Sequence, residues 1–255
     1  MRLATFNILH GRSVGDGVVE PDRLAEAVRR LDPDILALQE VDRHQPRSHL
    51  TDLTAVAAEA MGAVTQRFAA ALVGTPGVTW SAATEDDVPG TAAYGIALLS
   101  RYPVRAWQVA HLPRIPFRSP LYLPQPRKMI VVYEEPRAVL TGHFDTPAGP
   151  LVVVTTHLSY VPGWAQLQLR HIRRSVTGLD DPLVLMGDLN MAGRTPARVT
   201  GYRALADHPT FPLETPTRQL DHILARGVWG RVRSSDAPLL PLSDHRALVV
   251  DLDAA

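Results

Sequence analysis

At 255 residues, with Lys plus Arg and Asp plus Glu balanced at 26 each, the chain lacks the global basic field that drives salt-sensitive attachment to bulk nucleic acid. An apolar share of 45% and a charged share of 20% exclude a disordered or collagen-like chain and allow a sizeable core. Cysteine is absent, which excludes disulfides, thiolate metal sites and cysteine nucleophiles, so any metal must take oxygen or nitrogen ligands. The opening MRLATFNILH has no long apolar stretch, and no run approaches the roughly 18 apolar residues of a membrane span. A soluble, cytoplasmic protein is the expectation.

Apolar runs of strand length follow one another along the chain, broken by three helical patterns. RLATFNIL comes first, then a helix in PDRLAEAVRRLDP, with Pro21 and Asp22 at its start, Leu24, Val28 and Leu31 on one face, and a stop before Pro33. The strand ILALQE follows, then a second helix in TDLTAVAAEAMG, with Leu53, Val56, Ala57 and Ala60 on one face and Gly62 at its end. GIALLS, KMIVVY, RAVLTGHF and LVVVTTHL are the next strands. The third helix, in GWAQLQLRHIRRSVTGLD, spaces Ala165, Leu169, Ile172 and Val176 for one face, with Gly178 as its stop. LVLMGDLN, DHILA and ALVVDL complete the set. Residues 74–93, 111–127 and 206–218 are the most irregular and are expected as loops over one domain, residues 1–255.

Several of these runs end on polar residues. ATFNIL carries Asn7, ILALQE ends in Glu40, VVVTTHL ends near His157, and LVLMGDLN runs into Asp188 and Asn190. QLDHIL contains Asp221, and LSDHRAL opens on Asp244 and His245. One such residue alone is equally well a turn or a helix cap. Charge at the edge of a core is costly unless paired or bound to metal, so the whole set points to a shared site. Asn7, Glu40 and Asp244 are hard oxygen donors suited to Mg²⁺, with Mn²⁺ as the variant; zinc fits less well, since there is no cysteine and no HExxH-type pair. Asp188 can then act as a base, Asn190 can orient a water, and His157 and His245 can contact phosphoryl oxygens.

In this order, FNIL, LQEVD, YGIALLSRYPV, TTHL, GDLN, LDHI and SDHRAL closely resemble the endonuclease/exonuclease/phosphatase superfamily, over residues 6–248. That superfamily includes DNase I, AP endonucleases, neutral sphingomyelinases and inositol polyphosphate 5-phosphatases. The resemblance implies a four-layer α/β sandwich, two packed mixed sheets with helices outside, and a site in the cleft at one end. It implies Asn7 and Glu40 at the metal with Asp244 close by, Asp188 as base beside Asn190, and His245 at the phosphate, oriented by Asp221. His157 matches the histidine of the DNase I and sphingomyelinase branches, and Tyr94 and Arg137 match positions lining the phosphate groove. Two departures stand out: Ile96 replaces the Asn that many relatives carry after the glycine, and TTHLSY lacks the Pro-Asn ending of the AP endonucleases.

Other features carry two readings. His10 either reaches the cleft or sits in a surface loop, and His222 is expected on the opposite strand face, in a structural role. Between Arg101 and Tyr133 lie six basic residues and no acidic one, interleaved with Trp107, Phe117, Leu121 and Tyr122. This is a solvated hairpin, a groove for a nucleic-acid backbone, or a loop that touches anionic lipid. Trp80 and the acidic run Glu85 to Asp87 belong either to a loop that covers the cleft and selects substrate, which is the expectation, or to a disordered stretch. The expected function is Mg²⁺-dependent phosphodiester hydrolysis by a monomer, on nucleic acid, phospholipid or a small metabolite. The alternatives are a phosphomonoesterase of the inositol phosphate type, which the single lysine, Lys128, makes less natural, and a catalytically silent binding scaffold. The scaffold reading predicts erosion of the metal or base residues, and none of the principal set is missing.

Overall fold

A computed structural model describes residues 1–84, 90–124, 127–180, 182–227 and 230–253 of the chain. The acidic run Glu85 to Asp87, expected as part of a cleft cover, lies outside the described residues.

The first sheet is built from β1 (Arg2–Asn7), β2 (Ile35–Arg43), β3 (Thr65–Thr75), β4 (Thr79–Ala82) and β5 (Ala93–Ser100), with two later strands. The second uses β6 (Val104–His111), β9 (Ala138–Thr146), β10 (Gly149–His157), β11 (Leu183–Asp188), β12 (Arg203–Ala204) and β13 (Asp221–Arg226). Strands β7 (Arg118–Pro124) and β8 (Arg127–Tyr133) form a separate hairpin, and β14 (Val232–Asp236) and β15 (Leu248–Leu252) return to the first sheet. The orders are β14-β15-β1-β2-β5-β3-β4 and β12-β13-β11-β10-β9-β6. Each sheet contains one central parallel pair, β1 with β2 and β10 with β11.

Alternation along these strands feeds two cores at once. Leu3, Ile35, Ala37 and Leu98 from one sheet meet Leu140, Val153, Val184 and Met186 from the other, closing the space between the sheets. The opposite face of the first sheet packs on α1 (Pro21–Leu31) and α2 (Leu53–Met61) through Leu24, Val28, Leu36, Leu38 and Leu53. The outer face of the second packs on α3 (Trp164–Ser175) and α4 (Thr195–Thr200) through Leu169, Ile172, Leu183 and Leu185. The result is the expected four-layer α/β sandwich, held by apolar burial on both faces of both sheets.

Local signals set the helix ends. Asp52 accepts from the Thr54 and Ala55 amides at the start of α2, and Gly62 ends it with φ of 68°. α3 stops at Ser175, ahead of the expected Gly178. Four strands outside the expected set, β3, β6, β12 and β14, are ordinary members of the sheets, while β4 and β7 fall in stretches expected as loops. The edge position of β4 and β6, and the pairing of β7 with β8 alone, remove the continuous apolar run by which buried strands are recognised. Residues 206–218 form no strand or helix, as expected.

Two backbone features prepare the cleft end. Gln39 pairs with Ile96 and Val41 with Gly95, so Glu40 is the extra residue of a β-bulge, with φ of 58°. In β11, Gly187 adopts φ of 150°, and a Cβ there would lie 2.0 Å from the Thr156 carbonyl oxygen. Only glycine allows β10 and β11 to approach at that point. Gly187→Ala is therefore expected to lose roughly 2–4 kcal/mol of stability. Gly178→Ala, where a Cβ would meet nothing within 4 Å, is expected to stay within about 0.5 kcal/mol of wild type. Urea unfolding of the two variants checks the contrast.

Candidate active site

Asn7 ends β1, Glu40 sits at the β2 bulge, His157 ends β10, Asp188 ends β11 and Asp221 opens β13. The register sets His157 beside Asp188 and Asp188 beside Asp221 on three neighbouring strands. The structure thus gathers residues 181 positions apart: Asn7 Nδ2 donates to Glu40 Oε1 and to Asp188 Oδ2, both at 3.0 Å. Asp188 Oδ1 accepts the Asn190 amide at 2.9 Å, within a turn that takes Asn190 to φ of 50°. Asn190 Nδ2 donates to the Leu158 carbonyl at 3.0 Å and lies 3.3 Å from His157 Nε2.

His245 comes from the segment before β15. Ser243, at φ of 72°, donates its hydroxyl to the Asn7 carbonyl at 2.6 Å and accepts the His245 amide at 3.0 Å. That turn aims the imidazole so that Nδ1 meets Asp221 Oδ2 at 2.8 Å while Nε2 lies 3.8 Å from Asp188 Oδ2.

These groups open into a cleft of about 930 Å³. Of the expected residues, Glu40, Tyr94, Arg137, His157, Asp188, Asn190, His245 and His10 line it. Asn7 and Asp221 lie buried behind it, and Asp244, half-buried, acts on Glu40 by its charge. His222 is buried on the other face of β13, with Nε2 2.8 Å from the Met191 carbonyl oxygen, as its structural reading expects.

Sequence reasoning missed several neighbours. Arg47 reaches the cleft from a short turn after β2, held bidentate by Asp42 at 2.7 and 2.8 Å and lying 5.4 Å from the Tyr94 ring. Glu134 and Glu135 stand at the mouth of β9, only two or three positions before Arg137; that adjacency was the available signal. Beneath the site, buried Gln39 donates to Thr155 Oγ1 at 3.4 Å and to Thr5 Oγ1 at 3.1 Å, tying the sheets together.

Burial sets the proton affinities. It raises Asp188 to about 6, with Asp221 adding to the shift while His245, Asn7 and the Asn190 amide oppose it. It raises Glu40 to about 7, reinforced by Asp244 and opposed by the Asn7 amide. Burial disfavours the His245 imidazolium, but Asp221 and Asp188 reverse this and push the group up to about 10. His157 is driven well below the usual imidazole range by burial and then by the Arg137 charge. His10 falls to about 3, through burial and then Arg47 and Arg12. Tyr94 is held well above the usual phenol range by burial and by Glu40. At neutral pH the cleft therefore presents one imidazolium, His245, and one neutral imidazole, His157, on either side of Asp188.

Among the described residues, two groupings in the cleft offer ligands to a cation. Asp188, Asp221 and His245 hold three ligand atoms within 4.8 Å of one another. His245 is a poor ligand there, because an imidazolium has donors at both nitrogens and no lone pair. The second grouping is Glu40 with Asn7 and Asp244. A desolvated carboxylate raised in affinity for protons by burial and by a neighbouring acid is one that a divalent cation would stabilise, and carboxylate oxygens suit a hard ion; Asn7 turns its Nδ2 to Glu40 and its Oδ1 to the Leu9 amide at 3.1 Å, so its oxygen would join such an ion only after the amide rotates. The residues fit such a group.

Comparison with known proteins extends this reading. Residues 4–245 match the family model described as Endonuclease/Exonuclease/phosphatase family. An endonuclease/exonuclease/phosphatase structure from Beutenbergia cavernae DSM 12333 superposes at a TM-score of 0.73 with 26% identity, covering 100% of this chain and 72% of that one. The human nocturnin catalytic domain with bound sulfate aligns at 0.65 with 18% identity, over 100% and 94%. A mannosyl-6-phosphatase from Bacteroides thetaiotaomicron VPI-5482 aligns at 0.60 with 17% identity, over 99% of each chain. The curated proteins give no match.

If Glu40 is an unneutralised acid in the metal-free cleft, Glu40→Gln measured in EDTA at pH 8 is expected to melt at or a few degrees above wild type, about 2–5 °C. The sign follows from the raised affinity: above about 7 the folded protein must hold a charge that the unfolded chain holds at less cost. Added Mg²⁺ should raise the wild-type melting temperature and leave the variant unchanged, as followed by calorimetry.

Proposed function

The chain belongs to the endonuclease/exonuclease/phosphatase family, whose members are hydrolases of phosphoester bonds, and from that premise we propose that it is a Mg²⁺- or Mn²⁺-dependent phosphodiesterase. The observation that carries the proposal is Asp188: a buried carboxylate at the cleft floor, raised to about 6, held by Asn7 and Asn190 and flanked by two histidines. A base of that affinity is ionised at neutral pH yet strong enough to take a proton from water.

In this reading a substrate phosphorus sits between Asp188 and Glu40. A water oxygen attacks the phosphorus in line as one of its protons passes to Asp188. The bond to the leaving oxygen breaks, and that oxygen keeps the electron pair and is then protonated. Asn190 orients the water, while His245, charged and fixed by Asp221, and His157, neutral, donate to the phosphoryl oxygens. Glu40 and Asp244, with Asn7 beside them, would hold a divalent cation, which when bound would supply positive charge for the negative charge developing on the phosphoryl oxygens. Tyr94, Arg47 and His10 form the wall against which the rest of the substrate rests.

Charge supports a diester over a monoester. The cleft carries Glu40, Glu134, Glu135 and Asp188, and of its arginines Arg47 is paired with Asp42 and Arg118 is stacked 4.9 Å from the Tyr133 ring. A monoanionic diester meets less repulsion there than a dianionic monoester. The rim supports a substrate with an apolar portion: Val78 is 80% exposed and Val131 62%, with Tyr133 and Met129 on the same hairpin as Val131. A phospholipid or small amphiphilic diester suits that rim better than long duplex DNA.

Hydrolysis of bis-p-nitrophenyl phosphate beside p-nitrophenyl phosphate, with Mg²⁺, Mn²⁺ or EDTA, tests the proposal. The diester is expected to be preferred, EDTA to abolish turnover, and Asp188→Asn to lower kcat by on the order of 10²–10⁴-fold. Faster monoester cleavage would move this chain to the activity that the mannosyl-6-phosphatase carries in its name, and unchanged turnover in Asp188→Asn would remove the base assignment. Among natural diesters, phospholipid vesicles are expected to outperform single- and double-stranded DNA.

A further inference from the structure

Arg137 is expected at the phosphate, yet its guanidinium is turned inward. It is 6% exposed; one terminal nitrogen donates to Glu134 Oε1 at 3.2 Å and the other lies 3.1 Å from His157 Nδ1. Glu134, equally enclosed, is fixed by two further donors, the Ser159 hydroxyl to Oε2 at 2.7 Å and the Tyr160 amide to Oε1 at 3.1 Å. Five residues from two segments, 134–137 and 157–160, thus form one largely buried chain that ends on the imidazole.

We infer that Glu134 is a positioning residue: through Arg137 it fixes His157 as the neutral tautomer protonated on Nε2, with that N–H turned to the reaction centre. A guanidinium has only donors, so the contact to Nδ1 requires Nδ1 to accept. A neutral ring that accepts at Nδ1 carries its proton on Nε2. That nitrogen lies 3.5 Å from Asp188 Oδ2, beyond a good N–H···O hydrogen bond, so its proton remains available to a phosphoryl oxygen of the substrate. Asn190 Nδ2, 3.3 Å from Nε2, gives one hydrogen to the Leu158 carbonyl, and its second would compete for a ring lone pair; a neutral imidazole has only one, and the shorter, charged Arg137 contact at 3.1 Å takes it at Nδ1.

The contrast with His245 gives the arrangement its meaning. His245 has an acid, Asp221, at Nδ1; His157 has an arginine. Opposite partners at the same ring atom produce a cationic donor on one side of Asp188 and a neutral donor on the other. A second imidazolium would draw the proton affinity of Asp188 down and weaken it as a base. The arginine therefore serves the base indirectly, and Glu134 keeps the arginine charged and in place.

The inference rests on the phosphodiesterase reading for its consequence in rate, but the tautomer is measured in the free protein. With ¹⁵N-labelled histidine, His157 at neutral pH is expected to show an unprotonated Nδ1 and a protonated Nε2. In Glu134→Gln the His157 signals should shift toward the Nδ1-protonated form or average between the two. The kcat on bis-p-nitrophenyl phosphate should fall about tenfold with KM within about twofold, and Glu134→Asp should restore most of the loss. Ser159→Ala, which removes one donor to Glu134, is expected to change both readouts in the same direction and by less, and decides the matter if Glu134→Gln does not fold. A proton on Nδ1 in wild type, or an unchanged His157 in the variants, overturns the inference. So does a raised KM at constant kcat, which would make Arg137 a direct substrate ligand. An inactive wild type with the expected ¹⁵N pattern would instead defeat the phosphodiesterase reading and leave the tautomer assignment standing.

Discussion

The side-chain amide of Asn7 is the constraint on which the site depends. Its nitrogen donates at 3.0 Å to Glu40 in its own sheet and at 3.0 Å to Asp188 in the other, so a single group sets the spacing between two desolvated carboxylates. Its backbone carbonyl accepts the Ser243 hydroxyl, which fixes the turn that delivers His245. None of this works unless the sheets are locked at the cleft end. The apolar interlayer does that, with the Gln39–Thr155 contact directly beneath. Buried polar contacts of this kind define one arrangement and exclude neighbouring ones, because leaving a partner unsatisfied is costly.

The two sheets then divide the electrostatic work. The first contributes Glu40, whose affinity for protons is raised by burial and by the charge of Asp244 from the segment leading into β15. The second contributes Asp188, Asp221 and His157, which with His245 form one buried cluster of carboxylates and imidazoles whose proton affinities are set far apart. The spread of affinities comes from environment alone, since carboxylates of one chemical type take different roles according to burial and neighbours. Two flexible-looking decisions of the backbone, the bulge at Glu40 and the glycine at 187, let these groups sit at the ends of otherwise ordinary strands.

Much of this was legible in the sequence because the site is written at strand ends, where a polar residue interrupts an apolar run. Asn7, Glu40, His157 and Asp188 were each visible in that way, and the ordered motifs implied the sandwich and the pairing of Asp221 with His245. Strands β4 and β6 were missed because each lies at a sheet edge, and β7 because it pairs only with β8, so none has the alternation of a buried strand. Arg47 and Glu134 were missed for a different reason. Their roles arise from tertiary contacts, a bidentate bond to Asp42 and a buried chain to His157, that no spacing along the chain encodes. The case of Arg137 shows the limit most clearly: its position was legible, while the direction of its guanidinium was not.

In the proposed function, Glu40 and Asp244 hold the cation while the second sheet keeps its carboxylates and histidines for proton transfer. Anomalous diffraction at the manganese edge, from crystals soaked in Mn²⁺ at neutral pH, tests this most directly. The account predicts a peak against Glu40, with Asn7 and Asp244 around it and none between the carboxylates of Asp188 and Asp221. A peak bounded by Asp188, Asp221 and His245 would contradict it, since it would make ligands of the groups assigned here to the proton network.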